Sequence, residues 1–248
     1  MKLRDEAEES ADESAWDLEK QDPNLRSTVL QRIRLDIVSG ATKPGAIFSV
    51  PTLAKKLGTS TTPVREALLE LSASGLIEPL RNRGFRVVEP SLADLRDLFA
   101  LRVQLEVFAL TTVAAAGLKD TAELSRLAKA IAHAAQTGNT HAYLAADRAY
   151  HRKLISFAGN RRLTEMVMHL RDNMRLYGME SPAGIKRQNN SIDEHFQLIE
   201  LLESGQSAAA VRLLTHHILD WEPVFSAEIS RSAGAAAAAE VGGVPGVA

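Results

Sequence analysis

Asp147 and His151 stand four residues apart in AADRAYHRKLI, a spacing that puts both side chains on one face of a helix. His195 follows in SIDEHFQLI, and His216 and His217 in LLTHHIL. Imidazole and carboxylate together suit a divalent ion such as Zn²⁺, Ni²⁺, Fe²⁺ or Mn²⁺, and four protein ligands leave room in an octahedral shell for water or a ligand's oxygens. The chain has no cysteine, so any metal must use His, Asp or Glu, and disulfides and thiol nucleophiles are excluded. A single helical histidine is more often a core or surface residue than a ligand, but four such groups on three amphipathic helices form a less ordinary pattern. Such a site could also activate water for hydrolysis, although no general base stands out. It could equally be the interior of a ligand-free dimerisation module.

A second chemistry is written in the distribution of charge. The net charge is only −2 over 248 residues, but residues 1–23 carry three Lys or Arg against nine Asp or Glu, whereas residues 24–90 carry ten against five. A basic segment of that size fits attraction to a polyanion. Within it, Ser60, Thr61 and Thr62 lead into a helix with Pro63 in its first turn, where a missing N–H does no harm. At such a helix start, hydroxyls and backbone N–H groups can reach base edges or phosphates. Arg65 lies one turn further on, where its alternative is an ion pair with Glu66 or Glu70.

These groups need elements to hold them. Val29, Leu30, Ile33, Ile37 and Val38 line one face of a helix over about 26–39, a second helix runs from Val50 or Pro51 to Gly58, and a third covers about 62–74. Residues 80–88, LRNRGFRVV, read as a short hairpin. Helix, turn, helix and basic hairpin is the order of a winged helix-turn-helix. Beyond Pro90 the pattern predicts six long amphipathic helices, about 92–116, 121–136, 141–158, 161–177, 183–202 and 207–229. The fold class is therefore mainly α, a winged helix-turn-helix over 24–90 followed by an all-α six-helix bundle over 91–231. An acidic arm (1–23) and an Ala/Gly-rich tail (232–248) are expected to be disordered. No uninterrupted apolar run is long enough to span a membrane and no signal peptide is recognisable, so the expected location is the cytoplasm.

The segment LGTSTTPVREALLEL, the Gly75-Leu76-Ile77 turn and Asn82-Arg83-Gly84 closely resemble the GntR family of bacterial regulators. The bundle, with LRVQLE and the Asp-x-x-x-His element, resembles the effector domain of its FadR subfamily (the FCD domain), in the six-helix VanR-like form. The resemblance implies a homodimeric regulator, reading a double-stranded operator as a repressor and controlled by a small carboxylic acid, with no enzymatic role. It implies DNA contacts from Ser60, Thr61, Thr62 and Arg65, and from Arg81, Arg83 and Gly84 in the wing. It further implies a metal held by Asp147, His151, His195 and His217, the last preferred to His216 because the family's ligand precedes an apolar residue. Arg102 matches an arginine that projects into the family's effector cavity, and Arg171 or Arg175 adds a second cation; the alternative for Arg102 is an internal pair with Glu106. Thr61 and Pro51 stand where many relatives carry arginine, so their operator sequences do not transfer.

Overall fold

The computed structural model describes residues 25–89, 91–118, 120–174 and 178–241, the last ten of these by backbone alone. The chain divides after Glu89 into two compact units. The expected acidic arm lies outside the described residues.

In the first unit, α1 (Leu25–Val38) and α2 (Val50–Lys56) pack against α3 (Thr61–Ala73), which in turn packs on strand β2 (Ile77–Leu80) of a three-stranded sheet completed by β1 (Ile47–Phe48) and β3 (Gly84–Val87). Val64, Ala67, Leu68 and Leu71 recur at helical spacing and are fully buried, which fixes the face α3 turns inward. Removing one such leucine side chain costs about 2–5 kcal/mol. Ser60 is the N-cap of α3 but makes no side-chain capping bond. The hairpin turns at Arg81–Arg83, with Asn82 in the left-handed region that its short polar side chain tolerates.

The sequence reading omits β1, which pairs with the far edge of β3 through Ile47↔Arg86 and Phe48↔Phe85. Gly84 is expected from the family resemblance to lie at the DNA contact. The structure supplies a nearer reason: a Cβ there would lie 2.1 Å from the Phe48 carbonyl oxygen, and φ is +109°. Gly84 is what lets β1 join the sheet.

The second unit has α4 (Leu92–Ala116), α5 (Ala122–Gln136), α6 (Thr140–Ser156), α7 (Arg161–Asn173), α8 (Pro182–Glu203), α9 (Ser207–Leu219) and α10 (Glu222–Val241). These are seven helices among the described residues, not six. Pro223 explains the difference: without an N–H it cannot bond back to Leu219, so the helix expected over 207–229 breaks at Asp220 and Trp221 and restarts. The restarted helix continues to Val241, past the point where composition predicts disorder, as an alanine-rich stretch of high helix propensity allows. Ser91, Asn139, Asn160 and Ser181 cap α4, α6, α7 and α8 through their side chains.

Helix α4 packs against α6, α7, α9 and α10. By length and composition it is apolar enough to cross a membrane, but Arg102 and Glu106 are buried near its middle as an ion pair. Charges placed there to face other helices mark it as the core helix of a bundle.

Candidate metal centre and DNA-reading surface

Three helices bring the four suspected ligands together. Asp147 and His151 share one face of α6, His195 comes from α8 and His217 from α9. One ligand atom from each lies within 4.8 Å of all the others. The three histidines are buried, and the Asp147 side chain is 18% exposed. The step from His216 to His217 separates an exposed ring from a buried one. His133, His141 and His169 are exposed and take no part in the cluster.

The outer nitrogens of two rings are tied down. His195 Nδ1 lies 2.6 Å from the Ser191 carbonyl, and His217 Nδ1 lies 2.7 Å from Glu194 Oε2. Since each partner can only accept, each Nδ1 carries the proton and each Nε2 presents a lone pair inward. Of these lone pairs, that of His195 Nε2 lies 3.3 Å from an acceptor, Asp147 Oδ1, and has no hydrogen-bond partner, whereas that of His217 Nε2 lies 3.2 Å from His151 Nε2, which can donate to it.

Protonation does not relieve this crowding. Burial, with Arg171 nearby, lowers His151 to about 4, and burial beside two other imidazoles holds His217 well below its usual value. Burial alone would raise Asp147, but His151 and Arg171 outweigh it and keep the carboxyl well below the usual range. Neutral imidazoles and an ionised carboxylate are the forms that bind a metal.

Around the cluster lie groups that the sequence reading left out. Glu194, which orients His217, is gripped by both terminal nitrogens of Arg187 at 2.9 and 2.7 Å. Arg187 also donates to the His217 carbonyl at 3.0 Å and lies over the Trp221 ring. Tyr150 donates to the His195 carbonyl at 2.8 Å. The adjacency of Glu194 to His195 was the only local signal, because a one-residue step on α8 aims Glu194 at a different neighbour, α9.

The expected effector cations are present but engaged. Arg102 pairs with Glu106 at 2.8 Å. Arg171 donates to Glu106 Oε2 at 3.0 Å and to Asp147 Oδ2 at 2.7 Å. Between these two arginines Glu106 is held down to about 2, against the effect of its burial. Arg175 lies outside the described residues. Arg102, Arg171, Asp147 and His217 line one cavity with Tyr143, Met174, Met179, Trp221 and Phe225. It measures about 40 Å³, space for a water or two.

In the first unit, Ser60, Thr61, Thr62, Arg65, Arg81 and Arg83 are exposed, and Gly84 is partly buried. Arg65 has no ion pair among the described residues. The acids that would neutralise it are taken by Arg26 of α1, whose guanidinium lies 3.9 Å from Glu66 and bonds to Glu70. Arg81 and Arg83 are likewise unpaired, whereas Arg86 is held by its cross-strand neighbour Glu78 at 2.7 Å.

Residues 25–87 match the model for bacterial regulatory proteins of the gntR family, and residues 97–220 match the FCD domain. The chain is a GntR-family regulator with an FCD domain. It is 30% identical, over 80% of its length and 89% of the relative's, to the "Probable D-xylose utilization operon transcriptional repressor" of Paenarthrobacter nicotinovorans. It is also 30% identical to the HTH-type transcriptional regulator McbR of Escherichia coli K12, over 68% of this chain and 76% of that one. The solved structure of E. coli McbR/YncC aligns with a TM-score of 0.73 at 23% identity, covering 82% of this chain and 97% of that one, a likeness of fold. This GntR-family chain is therefore a DNA-binding transcription regulator with an effector-binding bundle.

Proposed function

We propose that this regulator carries a divalent metal on Asp147, His151, His195 and His217 and senses a small carboxylic acid beside it. The observation that carries the reading is the set of inward lone pairs. Asp147 Oδ1 and His195 Nε2 are acceptors 3.3 Å apart, and the single N–H that a neutral His151 can turn toward His217 or Asp147 leaves His195 Nε2 without a donor. Acceptors converging in a buried site repel unless a cation lies among them. Their spread of up to 4.8 Å is close to the roughly 4.2 Å separating ligands on opposite sides of one ion. When bound, the ion supplies an electrophilic centre with positions open to an effector's oxygens.

The chain's own residues do the rest. Ser191 and Glu194 fix two imidazole tautomers, and Arg187 anchors Glu194. Arg171 holds the second oxygen of Asp147 and, with Arg102, brings guanidinium groups to the cavity wall, the geometry that suits a carboxylate. A cavity of about 40 Å³ cannot take an organic acid as it stands, so binding must move its walls, with Met174 and Met179 the most pliable lining residues.

A hydrolase reading is not favoured by the carboxylates. Glu106 is committed to two arginines and Glu194 to a histidine and an arginine, leaving neither free to act as a general base. We further infer a cytoplasmic homodimer, joined through bundle surfaces that include the exposed Leu101, Phe108 and Met166. Repression is the expected sense, following the relative named as a repressor. The operator contacts expected of Thr61, Arg65, Arg81 and Arg83 are supported by their exposure and, for the arginines, their lack of internal partners.

A thermal-shift screen of small mono- and dicarboxylic acids, run on metal-loaded and on chelator-stripped protein, tests the reading. An acid should raise the melting temperature of the loaded form only. A shift of equal size in the stripped form would remove the metal from the effector site.

A further inference from the structure

The acidic arm is the strongest sequence feature that DNA binding and effector sensing leave unused. It carries three basic and nine acidic residues, net −6, directly ahead of the described chain. In the unit it joins, Asp36, Glu66, Glu70 and Glu78 are in ion pairs with Arg32, Arg26 and Arg86. Arg65, Arg81 and Arg83 have no such partner among the described residues and are exposed. The unit's own acids thus leave uncompensated charge where the recognition helix and the wing present it.

The place where the arm leaves the fold is equally informative. Arg26, the second residue of α1, reaches Glu66 and Glu70 on α3, so the chain departs beside the helix that carries Arg65. Twenty-three residues extend up to ~75 Å, several times the ~20 Å length of α3.

We propose that residues 1–23 dock intramolecularly on the cationic edge formed by Arg65, Arg81 and Arg83 and compete there with DNA phosphates. The inference rests on the reading of that edge as the DNA-contacting surface. A tethered polyanion occupies the edge at high effective concentration, and duplex DNA must displace it. Non-specific binding, which depends almost wholly on phosphate contacts, bears the loss first. Specific binding adds base contacts that the arm cannot imitate. The arm would therefore sharpen discrimination between operator and bulk DNA.

The test uses the full chain. Asp5→Asn, Glu6→Gln, Glu8→Gln, Glu9→Gln, Asp12→Asn and Glu13→Gln together bring the arm to net zero. Affinity for random-sequence duplex, read by fluorescence anisotropy, should rise roughly tenfold at ~50 mM salt, and the two proteins should converge near ~0.5 M. Unchanged affinity at low salt overturns the proposal. A spin label on Ser10→Cys, the sole cysteine in that variant, separates docking from general repulsion. At low salt and without DNA it should broaden the amide signals of Thr61, Arg65 and Arg83, and high salt should restore them. Broadening confined to the first turn of α1 overturns docking even if affinity rises. Should neither protein bind any duplex, the DNA-contact reading fails, while the broadening still decides whether the arm docks.

Discussion

At the scale of single residues, the bundle's polar interior is a chain of tied groups. Arg187 holds Glu194, Glu194 holds His217, and Arg171 spans Asp147 and Glu106. Removing one member of such a network strands its partner in a buried site, which generally costs more than the bond was worth. A pH dependence follows for metal-free protein. His151, with its folded value near 4 against 6.5 when exposed, is neutral in the fold, and His217 shifts in the same direction. Between pH 6.5 and 4 the unfolded chain binds more protons, so these groups destabilise the fold as pH falls through that window. Glu106, at about 2 in the fold against 4.5 when exposed, contributes stability that is full above pH 4.5 and is lost as pH falls from there toward 2. The melting temperature of chelator-treated protein should therefore drop from pH 7.5 to 5, and a flat or rising profile would count against the buried neutral imidazoles. Arg65 supports a second prediction, because its freedom from Glu66 and Glu70 leaves it available to DNA. Arg65→Ala should weaken binding to an operator recovered from random duplexes roughly 5- to 150-fold, or about 1–3 kcal/mol, with an unchanged melting curve. Undiminished binding takes this residue out of the interface.

At the scale of elements, what could be read in the sequence was whatever periodicity or a local stop signal carries. Val64, Leu68 and Leu71 announce α3, and Asp147 with His151 announces the cluster's face of α6. The two-residue strand β1 has no alternation to betray it and exists because β3 offers an open edge. The break between α9 and α10 is hidden because apolar residues continue through Trp221 and Phe225, though Pro223 was the available signal. Partners such as Arg187 are set by packing between helices that sequence spacing does not describe. Gly84 links element to function, since β1, β3 and the wing turn depend on its missing Cβ. Gly84→Ala should cost about 1–3 kcal/mol and displace the wing, lowering DNA affinity together with stability. Lost affinity with full stability would instead mean that the glycine serves DNA approach directly.

At the scale of the whole molecule, an acid bound in the bundle can alter operator affinity only by binding the DNA-competent and DNA-incompetent states unequally. The coupling is reciprocal, commonly about 1–3 kcal/mol. An acid that weakens operator binding by some factor must itself bind the operator complex more weakly by that factor. Calorimetric titrations with and without operator should return matching ratios, and a mismatch would mean that the acid acts at a second site. The effector end of this coupling, as proposed, rests on the cluster of Asp147, His151, His195 and His217 being a metal site. Calorimetric titration of chelator-stripped, tag-free protein with Zn²⁺, Ni²⁺ and Mn²⁺ tests it most directly. At least one of these ions should bind at one per chain, roughly 10- to 100-fold more weakly to the Glu194→Gln protein and not measurably to His195→Ala. Stripped protein that takes up none of them, or His195→Ala protein that binds as wild type, would contradict the account.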